Sequence, residues 1–117
     1  DDKDIILKKL RLMADKHKLD LILTTGGTGF SKRDVTPEAT KSVIKKDVPG
    51  IPEIMRFKGL KNSPRAILSR AVAGIRGNTL IINLPGSPKG VRESLGAVLD
   101  VIPHGIEIIK GEAKECG

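Results

Sequence analysis

The stretch Leu19 to Gly29 constrains this chain more than any other. Leu19, Leu21, Ile22 and Leu23 make a short apolar strand through Thr25, which runs directly into Gly26, Gly27, Thr28 and Gly29. Beyond it, Thr36-Pro37-Glu38 supplies a cap residue, a proline preset for the first helical turn and an acid suited to the positive helix end. That predicts a helix from about Pro37 to Lys46. Strand, glycine turn and helix in succession select an α/β fold with the loop at the carboxyl end of the strand. Glycines there let the backbone turn sharply, aim successive N–H groups at one point and approach a ligand closely, which is how phosphates are cradled. The loop lacks the Gly-Lys-Ser/Thr ending of a P-loop and the third glycine of a dinucleotide fingerprint. A tight turn with no ligand therefore stays open as an alternative.

A second junction of the same kind lies downstream. Thr79 to Leu84 reads as a buried strand in which only Asn83 interrupts Leu80, Ile81, Ile82 and Leu84. Pro85-Gly86-Ser87-Pro88-Lys89 breaks it and opens a helix carrying Val91, Leu95, Val98 and Leu99. A lysine at a helix N-terminus opposes the helix dipole, so Lys89 suggests a bound anion that offsets the cost. Two such loops in one parallel sheet open on the same edge, where ligands of α/β sheets lie. The remaining pattern predicts an amphipathic helix over Asp2 to Lys18, helices from Pro52 to Gly59 and Pro64 to Ser69, and a strand from Ala71 to Ile75. That strand is joined to the next by the tight connection Arg76-Gly77-Asn78, and a last helix follows Pro103. The tail beyond Lys110 is expected to fray.

Composition narrows the function. The net charge is +7, but residues 32–92 hold thirteen Lys/Arg against four Asp/Glu, and no acid falls between Glu53 and Glu93. Arg56, Arg65, Arg70, Arg76 and Arg92 lie in that interval, with lysines, and arginine forks match phosphate oxygens; a plain solvated basic face is the other reading. Two Phe and no Trp or Tyr argue against base-stacking platforms, and with no basic block this disfavours nucleic acid. Apolar runs fall far short of the ~18 residues of a membrane span, no leader is evident, and the lone Cys116 cannot close an internal disulfide, so a reducing cytoplasm is expected. His17 and His104 stand at no metal-ligand spacing, and no nucleophile triad is suggested. Asp34 either caps a turn or, beside a phosphate loop, supplies a hard oxygen to Mg²⁺.

Leu21 to Gly29, Arg33-Asp34-Val35-Thr36-Pro37-Glu38-Ala39-Thr40, Ser69-Arg70, Gly74 to Gly77 and Thr79 to Lys89, in that order, closely resemble the molybdopterin adenylyltransferases, the family of MogA, the plant Cnx G domains and the gephyrin G domain. Related MoaB-like domains share the glycine loop but are looser around Arg33 to Thr40. The resemblance implies a three-layer α/β/α domain with a mostly parallel sheet, usually a homotrimer, that transfers AMP from ATP to molybdopterin with Mg²⁺ and releases pyrophosphate. It implies that Thr25, Gly26, Gly27, Thr28 and Gly29 cradle a phosphate, that Pro85, Gly86, Ser87, Pro88 and Lys89 line the pterin side, and that Asp34 is catalytic and holds the metal. Asp1 aligns with a functional aspartate of the family, with the same two roles. It further implies one domain over 1–117 that lacks the family's N-terminal strand and loop, and a possible molybdenum-insertion enzyme as partner. A pterin-binding scaffold of the same fold without catalysis is the alternative.

Overall fold

The computed structural model describes residues 2–112. Asp2 caps helix α1 (Lys3–Arg11), its carboxylate accepting the N–H groups of Asp4 and Ile5 at 2.9 and 3.4 Å. The helix continues as a π turn over Leu12–Lys16 and leads to strand β1 (Leu21–Thr25). Helix α2 (Thr36–Val43) is shorter than its sequence predicts, because Ile44 turns extended and Lys46–Asp47 form strand β2. Nor does Thr36 cap it: Val35 holds the cap position, and the Thr36 N–H is satisfied by the Gly27 carbonyl at 3.2 Å. Helix α3 (Gly50–Gly59), a 3₁₀ segment over Pro64–Leu68, strands β3 (Ala73–Arg76) and β4 (Thr79–Leu84), and helices α4 (Pro88–Val98) and α5 (Ile102–Ile109) complete the order. No helix among the described residues is long and apolar enough to cross a membrane.

The sheet runs β1-β4-β3-β2. Strands β1 and β4 are parallel neighbours, paired from Leu21 opposite Leu80 to Thr25 opposite Leu84. Strand β3 is antiparallel to both β4 and β2, so three strands point one way and β3 alone is reversed. All six residues of β4 are buried, as a central strand covered on both faces requires. Its alternation divides the core. Leu80, Ile82 and Leu84 face Met55, Val98 and Ile102 under α3, α4 and α5, while Ile81 joins Leu10, Ala14, Ile22 and Val43 under α1 and α2. The result is three layers, α/β/α, as expected.

Asn83 interrupts the apolar run of β4, fully buried and polar like Thr79 at the strand's start. Its Oδ1 accepts the Val72 N–H at 3.1 Å, and its amide donates to the hydroxyls of Thr24 and Thr40, each at 2.9 Å. One side chain thus ties β1, α2 and the lead-in to β3. It also explains why β3 begins two residues later than predicted: the Val72 N–H bonds this side chain in place of a strand neighbour. Asn83→Ala would strand one buried and two half-buried polar groups, and we expect a loss of about 3 kcal/mol in urea denaturation with an unchanged slope. At the opposite end of β4, Arg76 grips both oxygens of Asp15 at 2.9 and 2.8 Å and the Val43 carbonyl at 2.9 Å. The Arg76 hydrogen bonds hold the Asp15 carboxyl below its ordinary value of 3.8. A lowered carboxylate contributes stability above its unfolded value and loses it as pH falls through the folded one. The difference in urea midpoint between wild type and Asp15→Asn should therefore be constant at neutral pH and vanish as pH drops below 3.8.

Candidate functional site

Because Thr25 and Leu84 end level, the two glycine loops leave the sheet side by side. The Gly26 N–H donates to the Leu84 carbonyl at 3.0 Å, extending the pairing by one bond. Beyond it the loops touch backbone to backbone: a Cβ built on Gly86 would lie 3.3 Å from the Gly26 Cα. Gly27 has a φ of +70°, and a side chain there would strike the Thr36 hydroxyl. Both positions need glycine for geometry alone.

The loop's carbonyls are drawn into the protein. Gly27 accepts from the Thr36 N–H, Thr28 from the Arg70 N–H at 2.8 Å, and Gly29 from Arg70 Nε at 2.7 Å. In a trans peptide the N–H points opposite to the carbonyl, and no peptide among the described residues is cis. The N–H groups of Thr28, Gly29 and Phe30 are thus turned away from those partners, and none of the three donates a hydrogen bond within the described chain. Three successive N–H groups are thus left without a partner among the described residues, donors of the kind from which an anion nest is built.

Arg70 continues the grip. Its Nη2 donates to the Asp34 carbonyl at 2.6 Å, and its Nη1 donates to Glu38 Oε2. The Arg70 hydrogen bond pulls the Glu38 carboxyl below its ordinary value. Asp34 caps the intervening turn: its Oδ2 accepts the Ser31 N–H at 2.9 Å, while its Oδ1 makes no hydrogen bond within the described residues. The carboxylate lies close against the loop, 2.8 Å from where a Cβ on Gly29 would sit. In the second loop, Ser87 Oγ caps α4 through the Gly90 N–H at 3.0 Å, and Lys89 is largely exposed, 4.0 Å from Glu93. Part of the cost of a cation at that helix end is thus met within α4 itself. Asp1 lies outside the described residues.

Two cavities flank the Gly26–Gly86 contact. One, of about 360 Å³, is lined by Pro85, Ser87 and Lys89 with Arg65 and Met55. The other, of about 310 Å³, is lined by Thr25, Gly26 and Gly27 with Leu10 and Leu23. The structure thereby gathers both sequence-predicted loops and Asp34 at one sheet edge. It reassigns several of the arginines. Arg56 donates to the carbonyls of Ser69 and Ala71, Arg70 holds the glycine loop, and Arg76 stands at the far end of the sheet. These three bond backbone carbonyls of their own chain, though Arg56 still lines the first cavity with Arg65 and Lys89. The clamp by Arg70 and the part of Glu38 were not visible in sequence, since their partners lie 32 to 41 residues away. The polar residue interrupting the apolar run Leu80 to Leu84 was the available signal for the Asn83 network.

Residues 1–104 match the family model described as "Probable molybdopterin binding domain". The molybdopterin adenylyltransferase of Helicobacter pylori J99 is 54% identical over 111 residues, which is 95% of this chain and 63% of that protein. The chain therefore spans somewhat under two thirds of that relative. The solved molybdopterin biosynthesis enzyme MoaB of Thermus thermophilus is 56% identical with a TM-score of 0.89, covering 97% of this chain and 72% of its own. The molybdopterin biosynthesis Mog protein of Mycobacterium ulcerans is 43% identical with a TM-score of 0.86, over 91% and 69% of the two chains. A glycine-loop pair on a shared sheet edge, a three-layer fold and a family match over most of its length agree: the chain belongs to the molybdopterin-binding domain family.

Proposed function

We propose that the protein is a molybdopterin adenylyltransferase, transferring AMP from ATP to molybdopterin and releasing pyrophosphate. The observation that carries this reading is the row of N–H groups at Thr28, Gly29 and Phe30 that find no partner among the described residues, continuing the loop whose Gly26 and Gly27 line one of the two cavities. A transfer between two substrates needs two adjoining pockets and fixed dipoles at the phosphate that passes between them. Relatives at 54% and 47% identity that carry this activity's name support it. In the reaction the terminal phosphate oxygen of molybdopterin forms a bond to the α-phosphorus of ATP in line, and the bond from that phosphorus to the leaving pyrophosphate breaks. The protein's share is positioning and charge neutralisation. The nest receives phosphate oxygens, while Pro85, Gly86, Ser87, Pro88 and Lys89 line the neighbouring cavity for the second substrate.

Asp34 fits a Mg²⁺ ligand. Its Oδ2, which lies close against Gly29, is committed to Ser31, and its Oδ1 is uncommitted within the described chain. No group of three or more His, Cys, Asp or Glu among the described residues could hold a metal, so the ion would arrive with the nucleotide, on Asp34 and phosphate oxygens, with Asp1 as a second carboxylate. Bound there, it would neutralise phosphate charge. Assembly as a homotrimer, a molybdenum-insertion enzyme as partner and a cytoplasmic site belong to the same proposal. Exposed Phe57 and Ile67 offer apolar surface for a second copy.

Asp34→Asn separates charge from structure, because the amide oxygen still caps Ser31. The intact protein should form adenylylated molybdopterin from Mg-ATP and lose that activity with a chelator. Asp34→Asn should keep its thermal midpoint while kcat falls by about a hundredfold or more. Unchanged turnover would remove Asp34 from the site, whereas tight molybdopterin binding by wild type with no AMP transfer would select the scaffold alternative.

A further inference from the structure

We propose that Arg70 is the positioning residue of the anion nest, aiming its N–H groups without itself serving as the anion's ligand. The inference rests on the phosphate-binding role of the loop proposed above. Through its backbone and side chain, Arg70 holds the carbonyls of Thr28, Gly29 and Asp34. Each fixed carbonyl turns the next N–H the other way, so these bonds orient Gly29, Phe30 and Val35, and none of the three N–H groups donates within the described chain. Thr28, the remaining member of the nest, is oriented by Thr36 through Gly27. Thus the side chain of Arg70 governs one end of the nest, and the start of α2 governs the other.

The guanidinium is suited to this and an ammonium is not. Nε, Nη1 and Nη2 reach three acceptors on three separate residues, Gly29, Glu38 and Asp34, and only a planar fork does that from one position. Glu38 fixes the fork from the α2 side, which makes the acid part of the loop's support. A residue acting by charge on a phosphate would be replaced in good part by lysine; a residue acting by holding carbonyls would not.

The test uses the intact protein, with binding of Mg-ATP and of molybdopterin measured by calorimetry for wild type, Arg70→Lys, Arg70→Ala, Glu38→Gln and Arg76→Ala, at a temperature where urea unfolding shows each to be folded. For whichever of the two ligands seats its phosphate on the nest, Arg70→Lys and Arg70→Ala should both raise Kd by about tenfold or more, the loss of one to two well-made hydrogen bonds. Glu38→Gln, which leaves both carbonyl bonds in place, should raise it less. Arg76→Ala removes a comparable clamp at the far end of the sheet and should leave Kd within about twofold while lowering the urea midpoint. In an NMR titration with the same ligand, the amide of Phe30 should shift in wild type and not in Arg70→Lys, while that of Gly29, oriented through the backbone N–H of residue 70, should shift in both. Retention of wild-type affinity by Arg70→Lys would overturn the assignment and leave the functional reading standing. Failure of wild type to bind either ligand would overturn both.

Discussion

Everything at the site depends on the parallel pairing of β1 with β4. These strands come from distant parts of the chain, yet five consecutive residues of each lie in register, from Leu21 and Leu80 to Thr25 and Leu84. Parallel alignment makes both strands end on the same edge, and level ends make both loops start at the same height. A slip of one residue would turn Ile81 and Asn83 toward the layer that holds Met55 and Val98, so the register is held by burial on both faces. The position of the loops therefore follows from the core, without any dedicated contact between loop side chains.

Polar groups refine what the core positions. Asn83 locks β4 to β1 and α2 through Thr24 and Thr40, one residue before the strand ends. Arg70 then fixes the path of the glycine loop, from Thr28 to Asp34, against the start of α2. Both are buried or half-buried polar centres whose partners are fully used, the condition under which polar groups rigidify a site. Backbone donors held this way require no rearrangement when an anion arrives, which is the basis of preorganised electrostatic stabilisation.

Much of this was legible in the sequence. Apolar runs and glycine or proline punctuation placed β1, β4, α4 and the two loops, and the motif order identified the family, because those signals are local. The boundaries of α2 and β3 were misplaced for a tertiary reason: Lys45 donates to Ile75, and the Asn83 side chain accepts the Val72 N–H, contacts no local pattern encodes. The arginines were the larger gap. Their clustering in an acid-free interval suggested a polyanion site, yet Arg56, Arg70 and Arg76 are occupied by backbone carbonyls of this chain. Counting charge along a sequence does not reveal which fork is already filled.

The hairpin of β3 and β4 turns over two residues, whereas Thr24 and Asn83 meet across 59. Hairpins of this kind close in microseconds, while distant parallel pairing must first overcome the entropy of a long loop. Chain entropy therefore favours the pairing of β4 with β3 over that with β1 at the outset, and the contact of Arg70 with Gly29 requires β1 in place. A chain with the hairpin alone lacks the Arg70 bonds to Thr28 and Gly29. An anion held by the N–H groups of the glycine loop would recognise only the completed fold, and its binding would shift the folding equilibrium toward that fold.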